Sequence, residues 1–402
     1  MQQEFDGNTD ASAVEQNGPE SPEFIGSAAS GSSAKPKKPS KPKKTKLPGR
    51  DPIWARLLIV FGLAIVLVSG TAVAAVDLLN NRYTANINQS TLLGENSRAG
   101  NPDETKHGDV EGPLNFLLLG SDLRALDPQD GQRSDSIIIL HIPATMDRAY
   151  LLSIPRDLRV RIPKFPPTNF GGASHDKINA AFQFGGGGEG GVQLLSETLH
   201  DMLGIQFDGA AIVNFDGFKA AVDLLGGVDM CIDQKVTSIH LGWDDKGNYL
   251  SPADGGHPAV YEPGCHHLES YQALDLVRQR KSLPNGDYDR QKNQQKFIRA
   301  MLTKAKEKGL TTNPLAADRF IRAIGQALTV DTNGVSLADL MFALRNVSPD
   351  NLMGLQVPSE PQDIGGISYV VALPESEALY NAVRDDLLDS WSVENPTWVN
   401  HM

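Results

Sequence analysis

Arginine and aspartate side chains flank three short apolar runs in the middle of the chain. Residues 120–124 read Gly-Ser-Asp-Leu-Arg, residues 133–135 read Arg-Ser-Asp, and residues 155–157 read Pro-Arg-Asp. Guanidinium groups match phosphate oxygens in pairs and stay charged at any relevant pH, whereas Mg²⁺ is bound by carboxylates together with phosphate oxygens. Residues of these types suit a phosphorylated ligand and a hard cation, provided that the fold brings them together.

The apolar runs beside these segments predict three strands, over residues 115–119, 136–142 and 149–154. A turn with Pro and Asp separates the last two, which predicts a hairpin. If the strands run up, down and up, all three Arg/Asp segments fall at one edge of the sheet, where open sheets bind ligands. Turn chemistry or a solvated rim would explain one such segment. Three that converge favour a site.

Two further basic segments follow later in the chain. Arg278 and Arg280 come after a helical pattern, and residues two apart on a helix point in nearly opposite directions. They converge only if the chain becomes extended there. Arg290 and Gln294 share one face of a long helix predicted over about residues 289–308, near its N-terminus, where the dipole favours an anion. A charged surface helix would account for Arg290 taken singly.

The remaining elements alternate between the two kinds of secondary structure. Helical patterns occupy residues 192–203 and 218–225, and residues 210–215 and 228–232 are predicted strands. The expected fold is α/β, with a central mixed β-sheet flanked by helices on both faces.

A glycine-rich run, residues 185–191, precedes the first of these helical patterns. Such a loop before a helix can cradle phosphate, but this one lacks a Gly-Lys-Ser/Thr ending, and Glu189 would repel an anion. We interpret it as a flexible loop, and whether it gates the site is left open. Residues 237–264, rich in Gly, Pro, Asp and His, are interpreted as a second, variable rim.

Residues 57–76 carry no charge and are almost all apolar. A helix of about 20 residues spans about 30 Å, the hydrocarbon thickness of a bilayer. Eight Lys and Arg residues lie within residues 35–50, so the positive-inside bias places the N-terminus in the cytoplasm and everything after residue 77 outside. A secretory signal peptide is the alternative, because residues 72–74 (Ala-Val-Ala) resemble a cleavage site. The long preceding region favours an uncleaved anchor.

The composition predicts five successive parts of the chain: a disordered cytoplasmic tail (1–50), a transmembrane helix (53–77), an extracytoplasmic tether (80–112), a globular domain (113–390) and a C-terminal tail (391–402). The Lys/Pro run is interpreted as a topology signal that also attracts anionic lipid. The net charge of −12 argues against a nucleic-acid partner.

Cys231 and Cys265 are the two cysteines, and both follow the predicted membrane helix. With two cysteines outside the cell, a single structural disulfide is the simplest account. The run Cys265-His266-His267 would suggest a metal site, but there is no second ligand pair at a zinc spacing.

In order and spacing these segments resemble the LytR-CpsA-Psr family, for which a single N-terminal membrane anchor is also typical. The resemblance is carried by residues 120–124, 133–135, 154–157 (Ile-Pro-Arg-Asp), 177–181 (Lys-Ile-Asn-Ala-Ala), 225–228 (Leu-Gly-Gly-Val), 277–280 (Val-Arg-Gln-Arg) and 286–295. Any one motif is weak evidence, whereas seven in order are strong. The Ala/Gly-rich domain, the two cysteines and residues 283–287 resemble actinobacterial members, which favours arabinogalactan or a related wall polymer as substrate.

The resemblance implies a membrane-anchored, extracytoplasmic phosphotransferase that moves a glycopolymer from a polyprenyl pyrophosphate to a hydroxyl of peptidoglycan. The lipid tail would lie in an apolar cavity within the domain. Asp122 and Asp135 would hold Mg²⁺ (or Mn²⁺) against the pyrophosphate. The other implied site residues are Arg133, Arg156, Asp157, Arg278 and Arg280 in catalytic roles, and Arg124, Lys177, Arg290 and Gln294 in pyrophosphate binding. Asp157 is a candidate general base by position and could equally orient Arg156.

Two alternatives remain open at this point. One is a non-catalytic membrane protein that binds or regulates lipid-linked wall polymer through the same basic pocket. The other is hydrolysis of the same pyrophosphate, with water as the acceptor. The transferase is favoured over the binder, because a binder needs the arginines but not two aspartates placed for a metal.

Overall fold

The computed structural model describes residues 88–100, 110–121, 134–310, 328–335 and 344–400, together with positions 313, 316, 320, 323 and 402. The predicted cytoplasmic tail and the predicted membrane helix over residues 53–77 lie outside this part of the chain. Within it, no helix is long and apolar enough to cross a membrane.

The strands of the described part are β1 (Asn88–Gln89), β2 (Leu114–Ser121), β3 (Ser134–Ile142), β4 (Ala149–Ile154), β5 (Arg159–Ile162), β6 (Ala173–Lys177), β7 (Gly209–Val213), β8 (Val228–Ile232), β9 (Val236–Trp243), β10 (His257–Tyr261), β11 (Gly264–Leu268), β12 (Leu328–Asp331), β13 (Leu352–Gln356), β14 (Ser359–Ile364), β15 (Ile367–Ala372) and β16 (Val399–Asn400). The α-helices of the same residues are α1 (Ile178–Phe184), α2 (Gly188–Leu203), α3 (Phe215–Leu225), α4 (Ser270–Arg278), α5 (Asp287–Glu307), α6 (Ser376–Arg384) and α7 (Leu388–Glu394).

A central sheet of eight strands organises the described residues, in the order β1-β12-β7-β2-β3-β4-β13-β16. The pairs β2–β7 and β4–β13 are parallel, whereas β2–β3 and β3–β4 are antiparallel. The sheet is therefore mixed. The predicted α/β fold with a central mixed sheet is confirmed, and so is the up, down, up direction of β2, β3 and β4.

Helices cover both faces of the sheet because successive strand residues point to opposite sides. In β3, Ile137 and Ile139 pack into a core that includes Phe182 of α1 and Leu195 of α2. The intervening Ile138 faces the other side, in a cluster that α5 joins through a half-buried side chain. Burial on both faces explains why β3 reads as a nearly continuous apolar run.

The long helix α5 lies across the second face and is fastened to the sheet by a buried amide. The Nε2 group of Gln295 donates to the carbonyl oxygens of Leu151 in β4 and Leu355 in β13. The helix starts at Asp287, two residues earlier than predicted, directly after Gly286, whose φ of 56° and ψ of −112° favour glycine. This start places the first turn of α5 beside the sheet edge.

One of the motifs, residues 225–228 (Leu-Gly-Gly-Val), has a structural role. Gly226 and Gly227 both have positive φ and donate backbone hydrogen bonds to Asp223 and Val222 at the end of α3. They end the helix and turn the chain directly into β8.

The prediction of a flexible loop over residues 185–191 is wrong in its second half, because α2 begins at Gly188 rather than at residue 192. Gly185 and Gly191 are buried between α1 and α2, where side chains would not fit. Small size, and not mobility, accounts for these glycines. They do not line the cavities described below, so a gating role is unsupported.

Two other element boundaries differ from prediction. Phe215, predicted as the end of a strand, is the first residue of α3. Within the stretch 237–264, interpreted as a variable rim, β9 and β10 form an antiparallel pair. In both places a polar or glycine-rich composition conceals an ordered element.

Parts of the predicted tether and tail belong to the fold. Leu92 and Leu93 are fully buried, and their backbone N–H groups donate to the carboxylate of Asp331, which also pairs with Arg98. At the other end, β16 pairs with β13, so the structure continues through Asn400 and not only to about residue 390. Long-range strand pairing, which a local pattern does not reveal, orders both segments.

The structure joins Cys231 of β8 and Cys265 of β11, as predicted. These residues face each other in the antiparallel pair β8–β11. Both are exposed to solvent. Because β11 leads directly into α4, the disulfide fixes the base from which that helix starts.

We expect the variant Cys231→Ser/Cys265→Ser to be less stable than the wild type by about 3–4 kcal/mol in its free energy of unfolding, from the entropy of a closed loop. The sequence separation that sets this loop is 34 residues. Urea unfolding measures the difference. Dithiothreitol should destabilise the wild type and leave the double variant unchanged; an unaltered wild-type midpoint under reduction would contradict the structural role.

Candidate active site

The ends of β2, β3 and β4 meet at one edge of the sheet. Ser121 of β2 pairs with Ser134 of β3, and Ile137 of β3 pairs with Ile154 of β4, so the polar residues beyond these ends lie together. Asp135 accepts a hydrogen bond of 2.5 Å from Nη1 of Arg156. The predicted convergence of two of the three Arg/Asp segments is therefore present in the described residues.

Arg156 lies among three carboxylates at this edge. Its nearest ion-pair distances are 2.5 Å to Asp135, 3.6 Å to Asp157 and 3.8 Å to Asp287. Burial opposes the charge of Arg156, but these carboxylates more than offset it and raise the pKa of Arg156. The guanidinium is thus held in place and fully charged.

Arg290, in the first turns of α5, is the most deeply buried cation of the site, with 6% of its side chain exposed. Its Nη2 group donates to the backbone oxygen of Asp135 at 2.7 Å and lies 2.8 Å from Asp287. Burial lowers the pKa of Arg290, partly opposed by the charge of Asp287. A buried guanidinium with one close carboxylate partner is a strong attractor for an anion.

Two guanidinium donors of this group lack a hydrogen-bond partner, although Arg156 Nε lies at ion-pair distance from Asp157 and Asp287. The Nε atoms of Arg156 and Arg290 are buried, and neither makes a hydrogen bond within the described residues. A buried donor left unpaired costs about 1–3 kcal/mol. An oxyanion that accepted from these donors would remove that cost.

Arg278 and Arg280 converge because the chain becomes extended between them, as predicted. Arg278 ends α4, and Gln279 has extended backbone angles, φ −64° and ψ 134°. Both arginines line the same cavity. The guanidinium of Arg278 lies over the ring of Phe215 at 4.4 Å, a cation–π contact that fixes its direction.

A buried polar network holds this extended segment. Gln279 is fully buried, its Nε2 group donates to the carboxylate of Asp275 and to Ser238 Oγ, and its Oε1 atom accepts from the backbone of Ile239. Burial raises the pKa of Asp275, while a hydrogen bond from Tyr261 opposes that shift. The network ties α4 to β9 and so determines where the two arginines point.

The arginines stand at the polar end of a cavity of about 590 Å³. The rest of its wall is largely apolar and includes Leu118, Ala211 and Ile298. The same three residues also line a second, almost wholly apolar cavity of about 500 Å³ farther along the sheet face. We call the two together the apolar channel.

Arg156 and Arg280 also line an open, polar space of about 540 Å³, which we call the polar cleft. Asp157, Lys177 and Asn179 are among its lining residues. Lys177 Nζ is 2.9 Å from Asp157, and Arg280 Nη1 is 3.9 Å from the same carboxylate. The cleft and the apolar channel therefore share a basic wall.

Most of the predicted site residues fall in these two spaces. Asp135, Arg156, Arg278, Arg280, Arg290 and Gln294 line the apolar channel at its polar end, Asp157 and Lys177 line the polar cleft, and Asp122, Arg124 and Arg133 lie outside the described residues. Gln294 also donates to Ser136 Oγ at 2.7 Å, which fixes its amide beside the sheet edge.

Of the two predicted magnesium ligands, Asp135 lies within the described residues and Asp122 lies outside them. Asp135 offers a carboxylate of which 42% is exposed, at a sheet edge crowded with phosphate-binding groups, and this donor chemistry fits a hard cation. Across the described residues, no group of three or more His, Cys, Asp or Glu side chains is arranged to hold a metal. A site here would depend on Asp122 and on oxygens of the ligand itself.

Several residues of the site were not predicted from the sequence. Asp287 lies in one of the family motifs, but no role was predicted for it. Its position three residues before Arg290 in a helix nevertheless signals an ion pair. His240 and Lys281 also line the apolar channel. Burial lowers the pKa of His240, and the charge of Arg278 lowers it further, so its imidazole is neutral at pH 7. No local pattern points to His240.

The chain matches a known family. The family model of the LytR_cpsA_psr family matches residues 79–385. The chain therefore belongs to that family, as the order of its motifs predicted.

Curated relatives carry names from cell-wall assembly. The chain is 27% identical over 331 residues to the polyisoprenyl-teichoic acid–peptidoglycan teichoic acid transferase TagU of Oceanobacillus iheyensis, covering 81% of this chain and 90% of that protein. It is 32% identical over 245 residues to the probable cell wall biosynthesis protein LcpB of Corynebacterium glutamicum, covering 58% of this chain and 52% of that protein.

Solved structures share the fold. A crystal structure of Bacillus subtilis TagV aligns with a TM-score of 0.53 at 22% identity, covering 69% of this chain and 98% of that one. A structure titled "TagT bound to LIIa-WTA" aligns with a TM-score of 0.51 at 24% identity, covering 72% and 95% of the two chains. The mixed sheet with its flanking helices is thus a shared architecture.

We expect Gln279→Leu to lower the affinity for inorganic pyrophosphate about tenfold, since the unpaired Asp275 and Ser238 would release the segment that carries the two arginines. Isothermal titration calorimetry on the folded protein measures the affinity. Gln183→Leu, at an exposed position of α1, is the matched control. Wild-type affinity in a folded Gln279→Leu protein would refute the positioning role.

Proposed function

We propose that this protein is a phosphotransferase that moves a glycopolymer from a polyprenyl-pyrophosphate carrier to a hydroxyl of peptidoglycan. The observation that carries the proposal is the continuity between a cluster of arginines and a channel of apolar walls. A diphosphate joined to a long prenyl chain has the same two-part character. The wall-polymer transferases named among the relatives support the same substrate class.

In this proposal, the pyrophosphate of the donor lies against the arginines and its prenyl chain extends into the apolar channel. The unpaired Nε donors of Arg156 and Arg290 bind oxygens of the pyrophosphate. Arg278 and Arg280 reach the same group from the extended segment after α4. Planar guanidinium groups suit this task because each offers paired donors to phosphate oxygens.

The transfer itself is an in-line displacement at the phosphorus that bears the sugar. The acceptor oxygen forms a new P–O bond, the bond from phosphorus to the bridging oxygen breaks, and prenyl monophosphate leaves. The arginines stabilise the charge that develops on the leaving phosphate. The hydroxyl proton passes to Asp157, which lines the polar cleft. A weak base suffices, because the nucleophile loses its proton late in a loose transition state.

Asp122 and Asp135 hold Mg²⁺ or Mn²⁺ in this proposal, and the bound ion would neutralise charge on the phosphate oxygens. Asp135 is suited to this role by its partly exposed carboxylate beside Arg156. The charge pattern of residues 35–76 supports a single membrane anchor with the N-terminus in the cytoplasm. The site then works on the outer side of the membrane, where peptidoglycan lies.

The first test uses the full-length protein in detergent, a polyprenyl-pyrophosphoryl oligosaccharide and uncrosslinked peptidoglycan. Sugar phosphate should become covalently attached to the glycan, and EDTA should abolish transfer reversibly. Asp122→Ala and Asp135→Ala should each reduce the rate at least about 100-fold, because charge on the phosphate would be left uncompensated. Mass spectrometry of digested glycan measures the product.

Asp201→Ala, at an exposed position of α2, is the matched control. Near-normal transfer by folded Asp122→Ala and Asp135→Ala proteins would refute the metal assignment. Donor binding without transfer would establish a binder, and release of sugar phosphate into water would establish a hydrolase.

A second test addresses the apolar channel. Ala211 lines both of its cavities, so Ala211→Trp should obstruct the passage between them. We expect the affinity for a long-chain polyprenyl pyrophosphate to fall at least about tenfold, because buried methylene groups would be excluded. The affinity for inorganic pyrophosphate should stay unchanged, which also shows that the variant is folded. An equal loss for both ligands would argue against a lipid channel.

A further inference from the structure

The polar cleft has chemistry that binding of the lipid pyrophosphate does not use. Its wall combines the Lys177–Asp157 ion pair, the amide of Asn179 and the hydroxyl-bearing residue Ser368, next to the apolar surfaces of Leu283 and Pro284. Hydrogen-bonding groups interspersed with small apolar surfaces match a carbohydrate, which presents hydroxyl groups between faces of C–H bonds.

The position of the cleft relative to the leaving group indicates which carbohydrate it holds. In an in-line displacement the nucleophile attacks from the side opposite the leaving group. The apolar channel takes the prenyl chain, so the leaving phosphate lies on the channel side of Arg156 and Arg280. These two arginines also line the polar cleft, so a phosphate held by them borders both spaces. With the channel filled by the prenyl chain, the nucleophile arrives through the cleft.

We infer that the polar cleft binds the glycan strand of the acceptor and presents its hydroxyl to the phosphorus. This inference rests on the proposed function and adds the location of the second substrate. Asp157 lines the cleft, where it would face the arriving hydroxyl, and its carboxylate lies 2.9 Å from Lys177. Lys177 becomes a residue that positions the acceptor as well as Asp157.

The β14–β15 hairpin contributes Ser368 to the wall of this acceptor site. Its backbone is tied directly to the site, because the N–H of Val370 donates to the carbonyl oxygen of Asp157 at 2.9 Å. Tyr369 is packed beside two cations, with Lys177 Nζ at 5.8 Å and Arg159 at 5.9 Å from its ring centre. The hairpin is thereby fixed to the same residues that handle the acceptor, and Ser368 faces the cleft.

The experiment measures glycan binding independently of transfer. The full-length protein in detergent is loaded with a polyprenyl pyrophosphate that carries no sugar, and an uncrosslinked glycan-strand oligosaccharide is titrated by calorimetry. We expect the wild type to bind it, and Ser368→Trp to weaken the binding at least about tenfold by filling the cleft. Ile367→Trp is the matched control, since the neighbouring strand position points to the other face of the hairpin and is 49% exposed. It should bind as the wild type does.

Equal glycan affinity of the wild type and Ser368→Trp would overturn the inference. It would also be overturned if Ser368→Trp weakened binding of the sugar-bearing donor and left glycan binding intact, since the cleft would then hold the donor sugar. Ser368→Gln, a smaller enlargement at the same position, replaces the tryptophan variant if circular dichroism shows that the latter is unfolded. The protein could bind the glycan in a way that depends on Ser368 and yet show no transfer activity. That outcome would uphold the acceptor site and refute the proposed transferase activity.

Discussion

Repulsion between like charges is the constraint on which the rest of this structure depends. Arg156, Arg278, Arg280, Lys281 and Arg290 line a single cavity. Two unit charges about 4 Å apart at an effective dielectric constant of about 20 interact by about 4 kcal/mol, so these cations cannot be gathered without compensation. Asp135, Asp157 and Asp287 supply it, since each lies near two or more of the cations. The site is a partly compensated network with an excess of positive charge, and not a bare basic patch.

The apolar channel and the polar cleft share part of this network. Arg156 and Arg280 line both spaces, so a group held by them borders an apolar space and a polar one. In the proposed reaction, that division would let a lipid and a carbohydrate approach the same phosphorus without displacing each other.

Local signals made the sheet edge predictable. The runs of β2, β3 and β4 and the Arg/Asp residues after them are contiguous in sequence, and so is the break of helix between Arg278 and Arg280. Features that depend on distant partners were missed. Gln279 is positioned by Ser238, about 40 residues away, and Ser368 reaches the cleft from a hairpin near the end of the chain. Leu92 and Leu93 lay in a polar stretch, and their pairing with Asp331 follows only from the folded sheet.

The order of strands in the central sheet has a consequence for biosynthesis. β12 lies between β7 and β1, and β13 lies between β4 and β16, so both outer portions of the described sheet require strands from the last third of the chain. While the chain emerges, β7 and β4 are open edges able to pair with other chains. A chain truncated before β12 would keep both edges open permanently. Quality control during synthesis is therefore expected to matter more for this domain than for one whose edges close early.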